Sequence, residues 1–143
     1  MKQLSFPFRG IEDLPLPRLD HWFAGIDGYI VPLVKALTHF GVRTTHSCQG
    51  HYPFQNYIQP QHPEVSIYCP ESNIPCWHDK EQYLERAGAL EVLLHQYNQT
   101  QPRVPWIKVR DTLRPALEAK SEKGLWLLQE EANRLAHYIF ARS

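Results

Sequence analysis

Hydrophobic positions along the 143-residue chain fall into three stretches of helical spacing separated by short alternating runs. Ile26, Ile30, Leu33, Val34, Leu37 and Phe40 recur at helical intervals, which predicts an amphipathic helix. Asp27 is placed to cap its start and Gly41 to end it in the left-handed conformation. Pro32 offers no backbone donor, so either the helix begins close to it or its first turn is bent. A short polar strand, Thr44 to Ser47, runs from there into a turn. Glu64 to Cys69 reads as a second strand, with Val65, Ile67 and Cys69 on one face and Ser66 and Tyr68 on the other. Asp79 with Gln82 three residues on resembles a capping box, and Tyr83, Ala87, Leu90, Leu94 and Tyr97 mark a helix ending near Asn98. Trp106 to Arg110 is a third strand, with Ile107 and Val109 facing one way and Trp106, Lys108 and Arg110 the other. Leu125, Leu128, Ala132, Leu135, Ile139 and Phe140 form the stripe of a last helix.

The order helix, strand, strand, helix, strand, helix predicts a small sheet of about three or more strands with helices packed on it, a two-layer α/β or α+β sandwich. The length suits one domain, residues 1–143. Pro7, Pro15 and Pro17 make residues 1–20 an extended arm, leaving residues 21–143 as the folded core. A hydrophobic share of 43% is that of a globular chain, not a disordered one. Fifteen basic residues balance fifteen acidic ones, so the overall positive field of a duplex-binding protein is missing and any nucleic-acid role must be local. With neither a secretory leader pattern nor eighteen consecutive apolar residues, the expectation is a cytoplasmic protein with no membrane span. Three cysteines are too few for a disulfide scaffold and point to reactive, metal-binding or buried thiols.

Candidate chemistry is concentrated between Gly41 and His51. A strand that only fills a core would carry Val and Ile where this one carries Thr44, Thr45, His46 and Ser47. Cys48 and His51, three apart around a turn containing Gly50, suit a thiol nucleophile and its base, since a neighbouring imidazolium lowers a cysteine pKa. The alternative is a small buried hydrophobe beside a surface histidine. Ser47, Gln49 and Gly50 add hydroxyl, amide and backbone donors for a polar or anionic ligand, and alternation puts His46 on the face of Thr44 and Cys48. His39, His62 and His95 read as structural or solvent-facing. Cys48 and His51 are also half of a zinc site that Cys69, Cys76 and His78 would complete, although seven positions between the two cysteines is long for a compact knuckle. On the third strand, Trp106, Lys108 and Arg110 suit stacking of a base and neutralisation of a phosphate, provided that strand lies beside the first. The chain has neither a Gly-x-Gly-x-x-Gly fingerprint nor a phosphate-binding loop, and Ser47 is not in a Gly-x-Ser-x-Gly elbow.

The run Asp27-Gly28-Tyr29-Ile30, Pro32-Leu33-Val34, Leu37, Gly41-Val42-Arg43-Thr44 and Ser47-Cys48-Gln49-Gly50-His51 resembles the signature of a group of small, mostly uncharacterised bacterial and phage proteins with a Ser-Cys-x-Gly-His turn. More distantly it is similar to the wybutosine-synthesising tRNA methyltransferase family, which carries Ser-Cys-x-Gly-Arg after a strand of a small α/β domain. That second resemblance implies S-adenosylmethionine as cofactor and a modified guanosine of tRNA as substrate; His51 stands where those enzymes have arginine. The combined expectation is a pocket at the end of the first strand for a nucleotide-like or anionic small molecule. Ser47, Gln49 and Gly50 with His46, Lys108 and Arg110 would bind it, while Cys48 and His51 would react or orient, as in an enzyme of nucleotide or RNA modification. The alternatives are a non-enzymatic module that sequesters a nucleotide or contacts a protein, or a zinc-stabilised domain.

Overall fold

A Schellman turn ends the first helix, as the glycine at position 41 predicts. In the computed structural model, which describes residues 28–50, 62–67 and 80–143, a 3-10 turn, Gly28–Ile30, runs into helix α1, Val31–Phe40, with Pro32 in its first turn. Its missing donor is harmless there, because the first N–H groups of a helix have no intrahelical partner. At the other end Gly41 has φ +102°, its N–H donates to the Thr38 carbonyl, and the Val42 N–H donates to that of Leu37, both at 3.0 Å. Leu37 and Val42 are both buried in the core, the apolar contact that accompanies this cap. Arg86 completes it, donating through Nε and Nη2 to the Phe40 carbonyl at 3.0 and 2.8 Å while its guanidinium lies over the Phe40 ring.

The chain continues through strand β1, Thr44–Cys48, strand β2, Glu64–Ile67, and helix α2, Lys80–Gln99. Strands β3, Trp106–Val109, and β4, Thr112–Pro115, then form a hairpin, and helix α3, Glu122–Ala141, follows with Ser121 Oγ accepting the Gly124 N–H as its cap. The four strands make one antiparallel sheet in the order β1-β2-β4-β3. The fold is therefore a small α+β domain fold, not a parallel wound sheet. Helix α3 packs along α1, and α2 reaches β3 and α3. Between helices and sheet lies the core, to which α1 gives Leu33, Val34 and Leu37, α2 gives Leu90, Leu94 and Tyr97, α3 gives Leu135 and Ile139, and the sheet gives Val65, Ile67, Trp106 and Leu113.

Four points of the sequence reading are corrected. Strand β4 was not foreseen, because Thr-Leu-Arg-Pro holds one large apolar residue and the connecting pair Arg110-Asp111 lacks the glycine of a two-residue hairpin; Arg110 takes φ +59° itself. Strand β3 lies at the far edge of the sheet from β1, not beside it, three interstrand steps or about 14 Å away. Trp106 is fully buried while Ile107 and Val109 are 40% and 50% exposed, so the tryptophan fills the core and the two β-branched residues face outward. A bulge between Thr44 and His46 shifts the register of β1, which parts Thr44 from the face it was expected to share with His46. Thr44 pairs with Ile67 and is buried, whereas His46 pairs with Ser66 and is exposed. The arm at residues 1–20, the Asp27 cap and the Asp79–Gln82 capping box lie outside what is described.

Burying Trp106 at an edge requires partners for its main chain. Asn98, at the end of α2, supplies them from one side chain: its Nδ2 donates to the Trp106 carbonyl at 2.8 Å and its Oδ1 accepts the Trp106 N–H at 3.0 Å. Replacing Asn98 with Ala should lower stability by about 2–4 kcal/mol, since both main-chain groups of a buried residue lose their partner. Asn98→Asp should also be destabilised, because it places a carboxylate against a carbonyl. Urea denaturation of the two variants checks both.

Candidate functional site

The turn after β1 is held from three sides. Gly50 is buried with φ +86°, and a Cβ built there would lie 2.6 Å from Leu125 Cδ1 and 3.1 Å from the His62 main chain. Both the backbone conformation and the space exclude a side chain. Gln49 extends the attachment, for its carbonyl accepts from Gln129 Nε2 at 3.0 Å and its Oε1 accepts the Tyr29 N–H at 2.9 Å. The turn thus joins β1 to α3 and to the 3-10 turn before α1.

Within this frame the predicted site residues separate. Ser47 pairs with Val65 and Cys48 with Glu64, which puts the serine on the core side and the thiol on the other face. Cys48 is 6% exposed and its Sγ accepts the Gly50 N–H at 3.4 Å. That bond engages the backbone donor expected to face a ligand, so Gly50 acts by packing the turn. His51 lies outside the described residues, as do Cys69, Cys76 and His78. Among the described residues no three His, Cys, Asp or Glu side chains are placed to hold a metal ion.

Lys108 and Arg110 do not converge on the turn. Lys108 is mostly buried along its stem, pairs with Glu91 at 3.1 Å and donates to the Arg110 carbonyl at 2.8 Å, which holds the strand end to α2. Arg110 stands exposed in the hairpin turn. Trp106, being buried, presents no stacking face.

His62, read from the sequence as structural or solvent-facing, is the buried imidazole beside this turn. It is 8% exposed; its Nε2 lies 3.2 Å from Glu64 Oε1, yet neither ring nitrogen is aligned for a hydrogen bond. Burial and then the Arg114 guanidinium hold it below the ordinary imidazole value of 6.5, against an opposing pull from Glu118. At neutral pH the ring is therefore uncharged, and its contact with Glu64 is not an ion pair.

An open concavity that adjoins the turn was missed by sequence reasoning. It has a volume of about 240 Å³ and is lined by Tyr29, Trp126, Gln129, Glu130 and Asn133. The last four are spaced i, i+3, i+4, i+7 on α3, one face of a helix. That face flanks the apolar stripe, and its signal in the sequence is a tryptophan outside the stripe: Trp126 and Tyr29 are 59% and 61% exposed. Gln129 serves both the pocket wall and the Gln49 carbonyl, so the predicted turn positions the pocket without lining it. No helix of the described residues is long and apolar enough to cross a membrane. Comparison of the chain with protein-family profiles, with curated proteins and with solved structures finds no match.

Gly50→Val should destabilise the fold by about 3 kcal/mol or more, combining a positive φ for a β-branched residue with overpacking against Leu125. In Leu125→Ala the valine should be tolerated better, and a double-mutant cycle on denaturation midpoints measures that coupling. The His62 ring gives a separate expectation. An imidazole whose folded pKa is lowered leaves stability intact above 6.5; as pH falls below that value the unfolded chain takes up the proton first and stability drops. His62→Gln should flatten this acid limb relative to the parent protein in denaturation curves collected from pH 7.5 down to 5 (roughly the range in which imidazole titrates).

Proposed function

We infer that this protein binds a nucleotide-like ligand through its base, in the pocket between Tyr29 and helix α3. The observation that carries this reading is the pairing of two large, exposed aromatic residues with three amide or carboxylate side chains around one concavity beside the Ser47–Gly50 turn. Aromatic faces suit a planar ring, and amides suit its edge. At about 240 Å³ the pocket is smaller than the roughly 300–1,000 Å³ of sites that enclose a whole drug-sized ligand. It suits a ring, with the sugar outside the mouth.

Ser47, Cys48, Gln49 and Gly50 support the ligand indirectly in this reading. Gln49 fixes Gln129 and Tyr29, Gly50 lets the turn sit on Leu125, and Cys48 accepts the Gly50 N–H. The resemblance to tRNA methyltransferases adds an RNA base and S-adenosylmethionine as expectations. A binding module for a nucleotide or an RNA base is the form favoured by a buried thiol and a fully packed turn, ahead of a transferase that uses Cys48 as nucleophile.

Calorimetric titration with ribonucleosides, a short mixed oligoribonucleotide and S-adenosylmethionine tests this. A base-bearing ligand should bind the parent protein, and Trp126→Ala should weaken it by about tenfold or more, since stacking on an aromatic contributes about 1–3 kcal/mol per base. Trp126 is exposed, so the variant should keep its melting temperature. Unchanged affinity in Trp126→Ala would refute the pocket assignment.

A further inference from the structure

The edge of the same pocket carries a polarity that nothing in the turn motif announces. Its lining sets the Glu130 carboxylate and two amide oxygens as acceptors beside amide, indole and phenol donors, with no Lys or Arg side chain among them. Glu130 brings a carboxylate that is half exposed, and Arg103 Nη2 stands 4.0 Å from it while bonding Glu131 Oε2 at 2.9 Å. Asn133 Oδ1 is buried without a hydrogen-bond partner. Gln129 uses its Nε2 on the Gln49 carbonyl, which leaves its amide oxygen as a further acceptor. The cations once expected to hold a phosphate, Lys108 and Arg110, belong to the far edge strand and its hairpin turn.

An unpartnered buried oxygen gains most from a ligand N–H, and a carboxylate accepts from an amine while repelling a phosphate. We propose that the pocket selects a base bearing an exocyclic amine and reads the base rather than the phosphate, with Glu130 and Asn133 accepting from the amine edge as Trp126 and Tyr29 cover the ring. This rests on the base-binding reading above and goes further by fixing the class of base and the side of the nucleotide that is recognised. The phosphate, if the ligand has one, points out of the mouth into solvent.

The experiment titrates adenosine, inosine and adenosine 5′-monophosphate into the full chain and into Glu130→Gln, at low and high salt. Inosine carries a carbonyl where adenosine carries its amine, so it sets an acceptor against the Glu130 carboxylate, which can only accept. Adenosine should bind at least about tenfold more tightly than inosine. The monophosphate should match adenosine within about twofold and respond little to salt, because no charge pair holds it. Glu130→Gln, at an exposed position, should keep the parent circular dichroism spectrum and narrow the gap between adenosine and inosine. Equal binding of adenosine and inosine, or a monophosphate about tenfold tighter with strong salt dependence, overturns the proposal and leaves base binding standing. Failure of every nucleoside to bind overturns the base-binding reading together with it.

Discussion

The close approach of the Gly50 main chain to Leu125 and to His62 is the constraint on which the arrangement of the site depends. A Cβ at this position would sit 2.6 Å from the leucine methyl, a separation that atoms do not adopt. The end of β1 is thereby set directly on the first turns of α3. Because the same helix packs along α1, the strand end, both helices and the 3-10 turn meet around one turn of chain. Gln49 converts that proximity into hydrogen bonds through its carbonyl and its side chain. Buried peptide groups need partners, and here those partners are the residues that shape a pocket.

A sheet order that leaves β1 and β3 as opposite edges divides the molecule's polar chemistry. On one side of the sheet's width stand Gln49, Tyr29 and the polar face of α3; on the other are Lys108, Glu91 and the Arg110 turn. A second polar centre lies at the middle of α3. Glu131 is fully buried, with its Oε2 within 2.9 Å of Arg103 Nη2 and 3.4 Å of Arg134 Nε. Burial and then that carboxylate push the nearby Tyr97 hydroxyl well above the usual phenol value, so the ring stays neutral. Glu130, one residue earlier on the helix, is left on the pocket side of the same arginine. Neighbouring acidic residues thus take different tasks because a helix turns by about 100° per residue.

How much of this was legible follows from which forces act locally. Helical periodicity located α1, α2 and α3, and Gly41 marked its cap, because amphipathic spacing and left-handed glycine are properties of a few neighbouring residues. Alternation located β1 and β2 but could not detect the bulge at Thr44, since the pairing partner, not the strand, decides where an extra residue sits. Strand β4 has too little apolar content to be recognised alone and exists because β2 and β3 flank it. The order of strands is a long-range matter, and placing β3 beside β1 brought Lys108 and Arg110 to the wrong edge. The turn drew attention through its residue types. Its glycine and glutamine are there to dock the strand end, a role that becomes visible only once α3 lies against it.

Why the pocket escaped notice has the same origin. Trp126, Gln129, Glu130 and Asn133 are contiguous on a helix face, yet an exposed polar face is the ordinary condition of an amphipathic helix. The arrival of Tyr29 from the 3-10 turn closes the concavity, and Tyr29 is held there by donating its N–H to Gln49 Oε1 at 2.9 Å. Gln49 therefore links the turn that the sequence draws attention to with the pocket that it does not. The motif residues set the position of the walls, the helix supplies their chemistry, and a cleft between two aromatic residues, lined by two amides and a carboxylate, results from joining them.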